Sequence, residues 1–185
     1  MAQLAELGTR ICILGPSNSG KSTLAAAIGQ ARGLEVVHLD RLYHDPGSDW
    51  VPRGREAFVA LHDEAISHDG WVMDGNYSRC MPQRFARATG VIVLEVPTSA
   101  SLLRYFRRTL FERRGRVGGL DGDKDSLKWS MIRYIAVTGR QKRERYDEML
   151  RDFDLPKTEL RSIQAVRHFY QQEALPSVRA VRAVS

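Results

Sequence analysis

The stretch GPSNSGKST, residues 15–23, limits the fold more than any other feature of the chain, because of what stands on either side of it. The apolar run Ile11-Cys12-Ile13-Leu14 precedes it, and the helix-prone LAAAIGQA follows. Gly15, Gly20, Lys21 and Ser22 fit the pattern G-x-x-x-x-G-K-[ST], which requires a strand before it and a helix after it. Glycines let the backbone wrap closely there. Successive N–H groups from Ser17 to Ser22 then point into a concavity that the helix N-terminus already makes attractive to anions. Pro16, Ser17, Asn18 and Ser19 form the body of this loop. Lys21 is placed to reach the β- and γ-phosphates of a nucleotide, Ser22 to ligate Mg2+, and Thr23 to assist near the α-phosphate. The bland alternative, a Gly-rich turn that merely joins strand to helix, is disfavoured by how tightly the motif constrains chemistry.

Strand-like and helix-like segments alternate along the rest of the chain. Runs rich in Val, Ile or Leu predict strands over 10–14, 35–39, 71–73 and 91–96, with a weaker fifth over 158–161. Helical spacing predicts helices over 22–32, over 55–67 with Phe58, Leu61 and Ala65 inward, and over 99–113 with Leu102, Leu103, Phe106 and Leu110 on one stripe. The glycines and charges of 115–125 read as a loop. A long helix follows Ser126, and Ser162 caps a last helix carrying Ile163, Val166, Phe169 and Tyr170 toward the core. Such alternation predicts an α/β fold, a parallel sheet with helices on both faces. The length of 185 residues suits one domain, expected over 1–175, with a frayed tail at 176–185.

Charge and cysteine content narrow the setting. The formal charge of +6 is concentrated: residues 101–151 hold 14 Lys or Arg against 7 Asp or Glu, and the remainder holds 14 against 15. Such a region attracts anions, either nucleotide phosphates or a nucleic-acid backbone. Cys12 and Cys80 are the only cysteines and lack metal-ligand spacing. With no secretion signal and no run of about 18 apolar residues, the expectation is a cytoplasmic protein that keeps its thiols reduced and does not enter membranes.

Open α/β sheets bind ligands at the carboxyl edge of their strands, and two apolar runs terminate there in a carboxylate. Asp40 ends VVHLD and Asp74 ends WVMD. Asp40 is placed to accept the proton of an attacking hydroxyl; Asp74 is placed to hold a metal-bound water, which makes Ser22 and Asp74 the metal-side pair. Gly75 permits close approach of the backbone to a ligand. Tyr43, Trp50 and Tyr77 near the acceptor side are suited to stacking on a base or sugar ring, with a core role as the alternative. His44 is either an acceptor contact or a surface residue. Arg104, Arg107 and Arg108 share a helical face, and Arg113, Arg114 and Arg116 run into the glycine-rich loop. That placement suits a closing flap that brings guanidinium groups to a transferring phosphate, with Arg108 and Arg113 first. A solvated basic face is the alternative for each of them, and for Arg140, Lys142 and Arg143.

Taken together, GPSNSGKST, HLDRLYHDPGSDW, WVMDGNYSR and RYFRRTLFERR resemble the DNA topology modulation protein family, a group of adenylate-kinase-like P-loop proteins, over roughly residues 10–172. The resemblance implies the nucleoside monophosphate kinase fold: a three-layer P-loop NTPase with a five-stranded parallel sheet in the order 2-3-1-4-5, an acceptor-side helical segment and an arginine-rich lid over about 105–140. It implies ATP and Mg2+ as cofactors. Gly15, Gly20, Lys21 and Ser22 then correspond to the triphosphate cradle, and Asp74-Gly75 to the Asp-Gly pair of adenylate kinases. Those enzymes continue with Phe-Pro-Arg, whereas Asn76-Tyr77-Ser78 stands before Arg79 here, and their Thr-Gly-Asp acceptor motif is missing. Adenylate is therefore not the expected acceptor. DRLYH, residues 40–44, is similar to the aspartate-plus-aromatic segment of uridine-kinase-like enzymes, where the Asp serves a hydroxyl acceptor.

The expectation is an ATP-dependent small-molecule or nucleotide kinase, monomeric or homodimeric. Lys21, Asp40, Arg108 and Arg113 are its catalytic candidates, and Asp40, Tyr43, Asp74, Gly75, Tyr77 and Arg79 line its acceptor side. A nucleic-acid-associated regulator ranks lower, because no helix-turn-helix, zinc finger or RNA-binding aromatic motif accompanies the basic charge. A slow ATPase without an acceptor ranks third.

Overall fold

The computed structural model describes residues 2–48, 50–97, 99, 101, 148 and 150–177. Arg104, Arg107, Arg108, Arg113, Arg114, Arg116, Arg140, Lys142 and Arg143, with the expected lid and almost all of the tail, lie outside the described residues.

In chain order the described elements are β1 (Arg10–Leu14), α1 (Lys21–Arg32), β2 (Glu35–His38), α2 (Leu39–Tyr43), α3 (Arg55–Ser67), β3 (Trp71–Asp74), α4 (Met81–Arg87), β4 (Gly90–Leu94), β5 (Lys157–Leu160) and α5 (Ile163–Gln172). A single 3-10 turn, Ser78–Cys80, leads into α4. The strands form one parallel sheet in the order β2-β3-β1-β4-β5, the expected order. Parallel strands need crossover connections: α1 lies between β1 and β2, α2 and α3 between β2 and β3, and α4 between β3 and β4.

Side chains alternate across a strand, so β1 feeds two separate cores. Ile11 and Ile13 join Leu24 and Ile28 of α1 and Phe169 of α5 on one face. Cys12 and Leu14 meet Phe58 and Ile66 of α3 and Met81 and Phe85 of α4 on the other. All are buried. Each such aliphatic or aromatic side chain contributes roughly 1.5–3 kcal/mol on leaving water, and the three layers follow from a strand apolar on both faces.

Local chemistry sets the boundaries. Gly20, left-handed at φ 101, allows the chain to turn sharply into α1. The Ser162 hydroxyl accepts from Ala165 N at the start of α5, the expected cap. Strand β2 ends at His38 rather than residue 39, because Leu39 already begins α2 with Asp40 in its first turn, where a carboxylate suits the positive end of the helix. Asp40 therefore does not end a strand as expected. Asp74 does.

Candidate functional site

Sheet register assembles the site. In the parallel pairings Ile13 of β1 and His38 of β2 both stand opposite Asp74, so the carboxyl ends of three strands meet on one rim. The 15–23 loop leaves β1 at that rim and returns as α1. Gly15 is at φ 143, and a Cβ there would collide with the Leu94 carbonyl, so only glycine lets the loop start against β4. Lys21 folds back over the turn, its Nζ donating to Gly15 O at 2.9 Å and Pro16 O at 2.8 Å. Ser19 N closes the same turn on Pro16 O, and Asn18 is left-handed at φ 61. Ser17, Ser22 and Thr23 are half-buried around it.

Asp74 is the hub. Ser22 Oγ donates to Asp74 Oδ2 at 2.6 Å, and His38 Nδ1 meets Asp74 Oδ1 at 2.5 Å. Burial works against ionisation of Asp74, but the hydrogen bond and charge of His38, the Ser22 hydroxyl and the Lys21 ammonium outweigh it and hold the carboxyl below the usual carboxylate range. A carboxylate kept ionised beside a hydroxyl is a hard oxygen pair, the donor type that Mg2+ takes when substrate phosphates complete its shell. Among the described residues no group of three or more His, Cys, Asp or Glu side chains forms a metal cage. The residues present thus fit an Mg2+ bound jointly with a nucleotide.

Several of the residues expected on the acceptor side form a second cluster. Tyr77 OH donates to Asp40 Oδ1 at 2.7 Å. Its ring lies 4.9 Å from that of Tyr43 and 5.3 Å from that of Phe58, and Tyr43 also packs edge-on against His44 and Phe58. Trp50 sits edge-on to His44 at 5.0 Å, in a loop closed by the His44↔Pro52 bridge. Tyr43, Trp50 and Tyr77 are half-buried while Phe58 is buried, and Tyr43 and Tyr77 pack on the core below them. Gly75, at φ 129, admits no side chain, since a Cβ would sit 2.8 Å from that of Leu39. Arg79 is exposed on the 3-10 turn, outside the aromatic cluster.

Three residues the sequence reading did not select take part. His38 holds Asp74 from β2. The Asn76 side chain grips Gly15 twice, accepting from Gly15 N at 3.2 Å and donating to Gly15 O at 2.8 Å. Arg84 of α4 is fully buried beneath the same segment and donates to Gly75 O and Asn76 O at 3.3 and 3.2 Å. Burial lowers its proton affinity, while Cys12, Cys80 and Asp74 push the other way. The buried Cys12 thiol is itself raised to about 11 by loss of solvent, partly offset by Arg84. Neither buried cysteine is a nucleophile in this state.

No protein-family model matches the sequence, and no curated protein matches it either, so the resemblance to the DNA topology modulation family finds no support there. Solved structures do align. A shikimate kinase from Acinetobacter baumannii, in complex with shikimate, superposes with TM-score 0.56 at 17% identity, over 90% of this chain and 92% of that one. An unliganded sugar kinase from Janibacter sp. gives TM-score 0.51 at 15% identity, over 94% and 98%. A gluconokinase from Sinorhizobium meliloti reaches only 0.43 and carries no weight. No helix among the described residues is long and apolar enough to cross a membrane. With its strand order, its phosphate loop after β1 and these neighbours, the chain has the P-loop kinase-like fold.

Proposed function

We propose that the protein is an ATP-dependent kinase that phosphorylates a hydroxyl-bearing small molecule. The observation that carries this reading is the 2.6 Å contact between Ser22 of the phosphate loop and Asp74 at the end of β3, with Lys21 folded over the same loop. Gly15 to Thr23 cradle the triphosphate through backbone N–H groups, and Lys21 serves the β- and γ-phosphates. Ser22 and Asp74 hold Mg2+, which when bound neutralises charge on the phosphates.

Asp40 takes the acceptor side. Tyr77 fixes one of its oxygens, and we assign the other, Oδ2, to the acceptor's hydroxyl proton. The acceptor oxygen bonds to the γ-phosphorus as the bond to the bridging oxygen breaks, the proton passes to Asp40, and ADP leaves. Tyr43, Tyr77 and Trp50 offer ring faces and edges to the acceptor, Gly75 gives its backbone room, and Arg79 is an exposed cation at the margin of that side. Arg108 and Arg113 remain assigned to the transferring phosphate from sequence position alone.

The neighbours' names, a shikimate kinase and a sugar kinase, favour polyhydroxylated acceptors over nucleic acid. Incubation with Mg-ATP and a panel of sugars, sugar acids, cyclic hydroxy acids and nucleosides, with ADP and phosphorylated product both measured, tests the reading. Product from one class, lost in Lys21→Ala and Asp40→Asn, is expected. ADP release that no acceptor accelerates would leave a plain ATPase.

A further inference from the structure

Arg84 is out of place by the ordinary rules of burial. It has no solvent exposure, it pairs with no carboxylate within ion-pair distance among the described residues, and its Nε has no hydrogen-bond partner among them. A guanidinium stripped of water at this position is costly, and an apolar side chain on the inner face of α4, beside Met81 and Phe85, would serve packing better.

What the charge holds explains its presence. One terminal nitrogen donates to the carbonyls of Gly75 and Asn76, the two residues that directly follow Asp74, and the other points at Met73 Sδ. Asn76 in turn grips both backbone groups of Gly15, and Gly15 O also receives Lys21 Nζ. The path is continuous from α4 to the phosphate loop: guanidinium, carbonyls of 75 and 76, Asn76 amide, Gly15, Lys21. Charge-assisted bonds from a rigid fork suit this task, because they fix orientation as well as distance.

We propose that Arg84 is a positioning residue for the nucleotide site, a buried clamp that holds the Asp74-Gly75-Asn76 segment so that Asn76 keeps the mouth of the phosphate loop in place and Asp74 stays on Ser22. The inference rests on the reading of residues 15–23 as a triphosphate cradle. It goes beyond that reading by assigning loop geometry to a residue of α4 that acts through the carbonyls of residues 75 and 76.

Calorimetric titration of the full chain with ATP and excess Mg2+, paired with thermal melting, tests it. Arg84→Met keeps the volume and removes the charge. It is expected to melt near the wild-type temperature and to bind ATP at least tenfold more weakly. A residue with a merely structural role would move the melting temperature and leave the affinity alone. Asn76→Ala is expected to weaken binding to a similar degree. Since both changes cut one path, the double variant is expected to bind no more weakly than the worse single variant. Wild-type affinity in Arg84→Met, or losses that add in full in the double variant, overturns the proposal. Should Arg84→Met not fold, Arg84→Lys replaces it, keeping the charge without the fork: tenfold weakening is expected, and wild-type affinity overturns the clamp. The wild-type titration separates the two failures, since no uptake by wild type overturns the cradle itself and the clamp with it.

Discussion

The Ser22 hydroxyl donates to the Asp74 carboxylate across 2.6 Å, joining residues 52 positions apart in the chain. The parallel pairing of β1 with β3 makes the meeting possible, because the loop after β1 delivers the start of α1 onto the end of β3. If this pair holds Mg2+, Ser22→Ala and Asp74→Asn remove the metal dependence of nucleotide binding more than binding itself. Titrations with ATP in the presence and absence of Mg2+ are expected to differ in wild type and to converge in Asp74→Asn. A drop of about a hundredfold in kcat/KM, ~2.7 kcal/mol of transition-state stabilisation, is expected for that variant.

On the proposed reading Asp40 and Tyr77 act on the acceptor, not on the nucleotide. Asp40→Asn keeps the shape and the Tyr77 contact but cannot take a proton. Turnover is expected to fall by about 10^2–10^4 with ATP affinity unchanged. Tyr77→Phe, which only frees the carboxylate to rotate, should cost about tenfold, roughly 1.4 kcal/mol. Steady-state kinetics with the acceptor found by the panel separate the two.

His62 gives the fold an acid limb. Its side chain is fully buried on α3, its Nδ1 lies 3.1 Å from Asp63 Oδ1, and its Nε2 has no partner among the described residues. Burial pushes its pKa below 6.5; Asp63 acts against the shift and the Arg84 charge adds to it. The unfolded chain therefore takes up the proton first as pH falls. This contribution to stability is complete above about pH 6.5 and declines as pH falls below it, with a limiting slope near 1.36 kcal/mol per unit. Urea unfolding of His62→Leu is expected to show a shallower decline between pH 7.5 and 5.5 than wild type. Parallel declines would contradict the assignment.

Gly75 stands between Asp74 and the Tyr77–Asp40 contact, and no Cβ fits there. At φ 129, with Leu39 Cβ 2.8 Å from the position a methyl would take, Gly75→Ala is expected to cost roughly 1–3 kcal/mol. It should also displace Asn76 from Gly15, so weaker ATP binding should accompany the lower melting temperature.

Much of this was readable before any coordinates. A phosphate loop between strand and helix announces itself in nine residues, and the apolar runs located the strands to within two residues or so at their ends. Strand order came only with a family resemblance, since local pattern says nothing about which strands pair. Arg84 is not legible in sequence, because an arginine reads as surface and its burial depends on packing against β3. Asn76 was noticed only as a departure from another motif; its partner Gly15 is 61 residues away. His38 does not stand out in sequence because the run VVHLD points to Asp40 as the rim carboxylate, whereas β2 ends at His38. On α3 the inward face is turned slightly, so that His62 is buried where Leu61 was expected. The arginine assignments at 104–116 lie outside the described residues.

The central claim is that backbone amides around Lys21 grip a triphosphate with Mg2+ shared by Ser22 and Asp74. Isothermal titration of the folded chain with ATP and excess Mg2+, run beside Lys21→Ala of matched melting temperature, tests it most directly. The account predicts saturable uptake by wild type and a loss of at least a hundredfold in the variant. Folded wild-type protein that takes up no ATP, or a variant that binds as tightly as wild type, would contradict it.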